Sequence, residues 1–230
     1  MADEMTLRAI AHVRSDFGSK FGIPRQSGVV PELEADIVFT PEFRNPDALR
    51  GLEDCSHIWL IWQFSEAVRD GWSPTVRPPR LGGNTRMGVF ATRSPFRPNP
   101  IGLSCVRLER VEQHPALGPV LLVSGADLMD GTPILDLKPY LPYADCRPEA
   151  SCGFAGPDGG KLLEVELPER LRALVPEEKR EALLGILARD PRPSYQQDPG
   201  RVYGMDFAGL NIRFSVEGQV LRVCGVRPIP

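Results

Sequence analysis

Short apolar stretches separated by proline- and glycine-rich loops occupy the first 140 residues, and this pattern limits the possible folds more than any other feature. Strand-length runs with period-two or continuous apolar patterning fall at residues 7–13, 37–39, 58–64, 87–91, 103–111, 120–123 and 134–137. The run at 58–64, IWLIWQF, predicts a central, buried strand. Many short strands joined by such loops are typical of an antiparallel barrel or sandwich.

The C-terminal part of the chain has a different composition. A glycine- and proline-rich stretch at 146–161 resembles a linker, and residues 176–189 after it predict a helix that Asp190-Pro191 ends. Alternating residues at 210–216 and 220–226 predict a hairpin. We therefore predict a mainly β fold with two domains: an antiparallel β-barrel at 1–150 and a small α+β domain at 151–230. The first part shows neither strand–helix alternation nor a G-x-G-x-x-G motif, which disfavours a doubly wound dinucleotide-binding fold.

Composition excludes several classes of protein. The five cysteines form no C-x-x-C pair and the three histidines are widely spaced, so we expect neither a disulfide framework nor a metal site. Residues 1–14 carry acidic side chains and no long apolar run. We therefore expect neither a signal peptide nor a transmembrane segment, and we place the protein in the cytoplasm.

The charge of the chain is unevenly distributed. The formal net charge is −3, yet residues 71–108 contain no Asp or Glu and six arginines, so 21 basic residues face 30 acidic ones in the rest. A local cationic field on an acidic body suits a polyanionic ligand that is met at one place. The alternative is that these arginines are far apart in the fold, and that each one caps or bridges a different part of the structure.

The segment 72–102, WSPTVRPPRLGGNTRMGVFATRSPFRPNPIG, holds five of these arginines and six prolines. Proline stiffens a loop, so an arginine on it loses less entropy when it binds. Gly82-Gly83 allows the backbone to approach a ligand closely. A core does not need five arginines between prolines, so the segment predicts a site for a charged ligand. The alternative is a barrel whose loops happen to be proline-rich.

Three shorter motifs and one histidine carry polar chemistry. The first motif, Pro24-Arg25-Gln26, combines a rigid turn with an amide and a guanidinium. The second places two carboxylates after a strand, in Asp127-Leu128-Met129-Asp130-Gly131. The third holds an arginine between prolines, in Asp190-Pro191-Arg192-Pro193-Ser194-Tyr195. Amides read an adenine edge, Arg binds carboxylates, and carboxylates accept from ribose hydroxyls. Taken singly, these motifs are also consistent with a surface loop, a plain turn and a helix stop. His57 at the start of the apolar run is either a core-edge histidine or a ligand contact.

Together these residues resemble the TrmO (TsaA-like) family of tRNA methyltransferases over nearly the whole chain. The matching blocks are residues 21–26, 50–59, 72–83, 86–94, 96–102, 130–140 and 190–193. The long arginine–proline block is the most specific of them.

The resemblance implies a β-barrel methyltransferase core with a small C-terminal domain, working as a homodimer. It implies methyl transfer from S-adenosyl-L-methionine to N6 of threonylcarbamoyladenosine at position 37, in the anticodon loop of tRNA. The implied cofactor contacts are Pro24, Arg25, Gln26, Phe64, Ser65, Arg93, Leu103, Asp127, Leu128, Met129 and Asp130. Ser65 stands where relatives often have a histidine, so a contact through its backbone is the one that would survive the change.

The reaction adds further candidate residues. The acceptor N6 is amide-like and weakly nucleophilic until its proton leaves, and Asp130 is the candidate base. The candidate substrate-binding residues are Arg97, Asn99, Lys138, Tyr140, Arg192 and Tyr195. The arginines and the lysine are suited to the threonyl carboxylate or to flanking phosphates, and the tyrosines to stacking on an extruded base.

Three other functions remain open at this point. The first is a non-catalytic RNA-binding barrel, in which the arginines bind RNA but no reaction is catalysed. The second is a hydrolase with Cys55 or Cys105 as nucleophile and His57 as base, although both cysteines fall in apolar contexts typical of inert thiols. The third is a methyltransferase with a different acceptor, such as an unmodified adenosine or a small molecule.

Overall fold

The computed structural model describes residues 4–67, 71–151, 153–155, 161–192, 198 and 200–229. Six of its strands close into an antiparallel barrel in the order β1-β2-β7-β6-β3-β8. The barrel strands are β1 (Ala11–Ser15), β2 (Glu34–Phe39), β3 (His57–Gln63), β6 (Ile101–His114), β7 (Gly118–Ser124) and β8 (Pro133–Pro139). The predicted antiparallel barrel is thus confirmed.

The apolar run at 58–64 forms the central strand β3, but only one of its faces is buried. Ile58, Leu60 and Trp62 point into the barrel and are at most 9% exposed, whereas Trp59 and Ile61 are half-exposed on the outside. The prediction of a wholly buried strand is wrong because a barrel strand has one inner and one outer face.

Two other strand predictions need correction. The first strand begins at Ala11 and ends at Ser15, so it lies later in the chain than the predicted 7–13. The predicted strand at 87–91 is a two-residue strand β5 (Met87–Gly88), paired with β4 (Thr75–Val76) and followed by a 3-10 turn at Val89–Ala91. Loop geometry therefore replaces regular structure through much of the arginine–proline block.

The C-terminal residues form a second sheet of four strands in the order β10-β11-β12-β9. The predicted hairpin is β11 (Leu210–Glu217) and β12 (Val220–Pro228), and the predicted helix is a 3-10 turn at Glu177–Lys179 that continues into α3 (Arg180–Ala188). The remaining elements are α1 (Pro142–Asp145), β9 (Glu164–Glu166), α2 (Glu169–Arg172) and β10 (Tyr203–Phe207). The hairpin and helix predictions are confirmed, and β9, α2 and β10 were not predicted.

The loop between β1 and β2 joins the two sheets. Phe17, Val30 and Leu33 from this loop belong to the hydrophobic core of the C-terminal sheet, and the ring of Phe17 lies 5.4 Å from that of Phe207. Gly22 has a φ of +97°, and a Cβ there would lie 2.1 Å from Met205 Sδ, so this loop touches the second sheet closely. The contact fixes the position of the Pro24-Arg25-Gln26 motif. The division into domains at 150/151 stays a prediction.

None of the helices in the described ranges is long and apolar enough to cross a membrane.

Candidate functional site

Three loops meet at one end of the barrel, where β3 and β7 end and β6 begins. The Gly28 N–H of the β1–β2 loop donates to the Gly125 carbonyl after β7 at 2.8 Å. The Phe64 N–H after β3 donates to the Pro100 carbonyl of the arginine–proline block, also at 2.8 Å. These backbone bonds bring together segments that are far apart in the sequence.

A chain of hydrogen bonds runs from inside the barrel to this end. Trp62 Nε1–H donates to Ser104 Oγ at 3.0 Å, and the Ser104 hydroxyl donates to Asp127 Oδ1 at 2.7 Å. Ser104 is 1% exposed, so this is a buried polar contact inside an apolar barrel. Gly102 makes room for the indole, because a Cβ there would lie 2.2 Å from the Trp62 ring.

Burial raises the pKa of Asp127 above its ordinary value. The hydrogen bond from Ser104, the positive charge of Arg93 and the Ser27 backbone act in the opposite direction without cancelling the effect of burial. A largely buried carboxylate with a raised pKa that faces a guanidinium is typical of functional sites.

Arg93 and Gln26 lie beside Asp127, and together with Ser104 and Trp62 these residues form what we call the Asp127 cluster, or the cluster. Arg93 Nη1 donates to Gln26 Oε1, and the guanidinium interacts with the charge of Asp127. Arg93 is exposed, and in the described part of the chain no salt bridge holds it. Ser27 Oγ accepts from the Cys105 N–H at 3.1 Å, which anchors the motif on β6. Arg93 is therefore available to a ligand.

The other predicted cofactor contacts surround this cluster or support it. The Phe64 ring meets Trp62 edge-on with centroids 4.2 Å apart, and Ser65 is exposed beside it. Pro24 is buried, while Leu103 is 52% exposed on the outside of β6. Three further residues support the cluster from a distance. Arg25 Nη2 donates to the Arg192 carbonyl at 3.5 Å, and the Met129 carbonyl accepts from Thr132 Oγ1 at 2.7 Å. Leu128 is 1% exposed in the barrel core.

Asp130 lies apart from Asp127. Its carboxylate accepts from the Ser15 N–H at 3.1 Å, and its own N–H donates to the Phe17 carbonyl at 2.9 Å. It lines a cleft of about 540 Å³ between the barrel and the second sheet, together with Asp16 and other residues. Neither Asp127 nor Arg93 lines this cleft. The cleft and the groups around Asp127 therefore lie at different places. We favour the Asp127 cluster as the functional site, because a carboxylate, a guanidinium and an amide come together there.

Two candidate substrate residues lie in the arginine–proline block beside the cluster. Arg97 is half-buried and its Nη1 donates to the Thr92 carbonyl at 3.2 Å, so its own loop already holds it. Asn99 is exposed, and its carbonyl accepts from the Ile101 N–H at 2.7 Å.

Lys138 and Tyr140 lie near the opposite end of the barrel. Lys138 pairs in register with Trp59, and the Tyr140 N–H donates to the His57 carbonyl at the start of β3. At ~3.3 Å per residue, the length of β3 separates Tyr140 from Phe64 by roughly 20 Å. The distance to Ser27 is shorter, because Lys138 and Cys105 lie in register on either side of Trp59 and the Cys105 N–H donates to Ser27 Oγ.

Arg192 is already paired. Its Nε and Nη2 donate to the two carboxylate oxygens of Asp190 at 2.8 and 2.9 Å, and its side chain is 11% exposed. Hydrogen bonding to Asp190 also raises the pKa of Arg192. The Arg192 side chain is therefore held by Asp190, and only the Arg192 carbonyl meets the side chain of Arg25. Tyr195 lies outside the described residues.

The geometry disfavours a cysteine hydrolase. Burial, followed by the negative charge of Asp145, raises the pKa of the Cys105 thiol, which lowers the fraction of nucleophilic thiolate. Cys55 Sγ is directed to the Gly51 carbonyl, and His57 Nδ1 contacts Ser56 Oγ at 3.0 Å. No hydrogen bond between His57 and either thiol occurs in the part of the chain that the structure describes.

Sequence reasoning missed the residues that support the cluster. Ser104 and Trp62 occupy ordinary inward positions of β6 and β3, respectively, and Ser27 directly follows the predicted motif. A serine at an inward position of an apolar strand is the one signal that pointed to Ser104, because a buried hydroxyl needs a partner.

The fold and the cluster define a class: a closed β-barrel protein that gathers a carboxylate, a guanidinium, an amide and an aromatic ring at one end. This class differs from the doubly wound nucleotide-binding folds. The chain belongs to the tRNA-methyltransferase O (TrmO) family. The model of the family's N-terminal domain matches residues 12–146, and that of its C-terminal domain matches residues 161–229.

Individual relatives agree with this assignment. The chain is 40% identical over 227 residues to a tRNA (adenine(37)-N6)-methyltransferase of Escherichia coli K12, covering 95% of this chain and 96% of the relative. It is 44% identical over 214 residues to a putative S-adenosylmethionine-dependent methyltransferase of Pseudomonas aeruginosa, covering 89% and 90%. A crystal structure of TrmO superposes with a TM-score of 0.80 at 36% identity, over 98% of this chain and 99% of the other. The family resemblance inferred from the motifs is thus confirmed.

Proposed function

We propose that this chain transfers a methyl group from S-adenosyl-L-methionine to N6 of threonylcarbamoyladenosine at position 37 of tRNA. The observation that carries the proposal is the convergence of Gln26, Phe64, Arg93 and Asp127 at one end of a barrel of the TrmO family. The E. coli relative is named for methylation of adenine 37 at N6, and the P. aeruginosa relative for dependence on S-adenosylmethionine.

The side chains of the cluster fit such a cofactor chemically. The cofactor joins an adenine, a ribose, a carboxylate, an ammonium and a sulfonium. Arg93 is suited to the carboxylate, Gln26 and the backbone at Ser65 to the adenine edge, and the Phe64 ring to an aromatic contact. Asp127 is the anionic group suited to the ammonium or to the ribose hydroxyls.

When bound, the cofactor supplies a methyl group that is already activated by the positive sulfur. The protein therefore has to hold the acceptor in line and to accept one proton from N6. We propose a carboxylate of the segment after β7 as the proton acceptor. The first candidate is Asp130, which the sequence predicts and which lines the cleft rather than the Asp127 cluster. Asp127 is the second, because its raised pKa brings its basicity closer to neutral pH.

Replacing Asp130 with Asn tests the first candidate. Asn keeps the shape of the side chain but cannot take up the proton, so turnover should fall about 100-fold at unchanged cofactor affinity, the lower range of general-base contributions. Single-turnover methylation and calorimetric binding of S-adenosylmethionine measure the two quantities. If both keep their wild-type values, Asp130 has no role in the site.

We further propose that the protein acts in the cytoplasm as a homodimer. The distance between Tyr140 and Phe64 within one chain supports the dimer, because a second copy offers a way to bring a Tyr140 ring to the Phe64 side of the site. Sedimentation equilibrium of the purified chain measures the oligomeric state directly.

The experiment that tests the function is a methyl-transfer assay on defined tRNA. The purified chain is incubated with isotope-labelled S-adenosylmethionine and with tRNA that carries threonylcarbamoyladenosine without the N6-methyl group. The tRNA is then digested to nucleosides and analysed by mass spectrometry. We expect the label on threonylcarbamoyladenosine.

A matched tRNA without the threonylcarbamoyl group is the control for the acceptor. Label on both tRNAs would identify adenosine itself as the acceptor. Cofactor binding without label on either tRNA would exclude these acceptors. Absence of cofactor binding would favour the non-catalytic RNA-binding barrel.

A further inference from the structure

A short hairpin beside the cluster exposes two aromatic rings. Trp72 is 54% exposed and Phe90 is 71% exposed, and their ring centroids lie 6.1 Å apart with an interplanar angle of 30°. Single exposed apolar side chains are common on protein surfaces, whereas neighbouring exposed rings are typical of interaction sites.

The backbone of the hairpin is well fixed under these rings. The Val89 N–H donates to the Pro74 carbonyl at 2.9 Å, and Thr75 and Val76 pair with Gly88 and Met87. The Val89 side chain is 1% exposed, so the turn after β5 also carries a buried side chain. The rings are therefore held outwards by a supported turn.

Two arginines extend the same hairpin. Arg77 follows β4 and Arg86 precedes β5, so the two residues face each other one step beyond the paired residues. Both are exposed, and neither forms a salt bridge with any residue in the described ranges. Residues 71–108 contain no Asp or Glu, so the cationic field has no acidic neighbour in this segment.

We propose that Trp72, Phe90, Arg77 and Arg86 form a docking surface for unpaired nucleotides of an RNA loop, with bases on the rings and phosphates on the arginines. Exposed aromatic faces next to unpaired arginines are the combination that single-stranded nucleic acids require. From Trp72 to Arg77 the chain spans at most ~17 Å, which matches a few stacked nucleotides at ~3.4 Å each. This proposal rests on the proposed function, because the RNA loop that we expect on this surface is that of the tRNA substrate.

The test is binding of a synthetic anticodon stem-loop without cofactor. The double variant Trp72→Ala/Phe90→Ala should bind it about 10-fold or more weakly, because each stacked base contributes ~1–3 kcal/mol. The variant Phe90→Tyr keeps an aromatic face and should retain most of the affinity. Tyr143→Ala removes an aromatic ring that is 83% exposed on α1 and should have no effect.

The arginines have a separate signature in the salt dependence. Arg77→Ala/Arg86→Ala should weaken stem-loop binding and flatten the slope of log K against log salt by about 0.7 for each lost phosphate contact. The matched control is Arg110→Ala, which removes an exposed arginine that pairs with Glu112 on β6. An unchanged slope would contradict phosphate contacts at Arg77 and Arg86.

The outcomes separate this surface from the proposed function. If the stem-loop binds through the hairpin but no tRNA is methylated, the surface stands and the proposed function fails. If the wild type methylates tRNA while both double variants bind the stem-loop normally, the surface is wrong and the function stands. If the variants instead change the oligomeric state in light scattering, the hairpin is an interface between two copies, and the proposal is overturned.

Discussion

Arg93→Ala should weaken the binding of S-adenosyl-L-methionine about 10- to 100-fold, since a hydrogen bond to a charged group contributes ~1.5–3 kcal/mol. The reason is the position of the guanidinium: it is exposed, holds Gln26 and faces the charge of Asp127, and no salt bridge in the described part of the chain occupies it. Loss of the side chain removes a cation from the site and also frees the Gln26 amide. Isothermal titration calorimetry measures the effect.

Two further variants show whether the shape of the arginine matters. Arg93→Lys keeps the charge but not the planar fork, so its affinity should lie between those of the wild type and Arg93→Ala. Arg110→Ala, at an exposed arginine paired with Glu112, should bind the cofactor normally. Wild-type affinity in Arg93→Ala would exclude Arg93 from the cofactor site.

The barrel was predictable because its strands carry local signals. Alternation places Ile58, Leu60 and Trp62 on one face of β3, and period two is visible in the sequence itself. Similarly, Tyr203, Met205 and Phe207 alternate in β10, so this strand was detectable although it was not predicted. The three-residue strand β9 carries no such signal, because its parallel pairing with β12 depends on tertiary structure.

The site was predictable only in part. The motif residues Gln26, Arg93 and Asp127 were identified by family resemblance, and the structure brings them together. Ser104 was missed because its role depends on the register of β6 against β3 and on the path of the segment after β7, which pairing between distant residues decides. The pairing of Asp190 with Arg192 is different, because the two residues are close in the sequence and opposite in charge, so this contact could have been predicted.

The separation of Asp127 from Asp130 shows how a short segment acquires two different environments. Leu128 between them is buried in the barrel core, so the chain turns inwards and its two carboxylates leave in different directions. Asp127 meets Ser104 on β6, whereas Asp130 meets the backbone of Ser15 on β1. Leu128 therefore anchors the segment in the core, and the two carboxylates on either side of it lie in different chemical environments.

Asp127→Asn should raise the stability of the protein at neutral pH while it weakens cofactor binding. Burial raises the pKa of Asp127, so between the ordinary and the raised pKa the folded state binds more protons than the unfolded state. Stability therefore falls as pH rises through this window, and the ionised side chain costs stability above it. Asn carries no charge and can still accept from Ser104, so it avoids this cost.

Thermal unfolding as a function of pH measures the first effect. The Tm of Asp127→Asn should exceed that of the wild type at about pH 8, and the difference should vanish below about pH 3, where the carboxyl is protonated in both states. Asp47→Asn, an exposed carboxylate paired with Arg50, is the matched control and should show no gain at pH 8.

Cofactor binding measures the second effect. Asp127→Asn should lose about 10-fold or more in affinity for S-adenosyl-L-methionine, because a neutral amide replaces the anion that faces a cationic ligand. A variant that is more stable yet binds worse would show that the protein keeps a destabilising buried charge for the sake of its ligand. A variant that is less stable at every pH, with normal affinity, would instead assign Asp127 to the support of the barrel end.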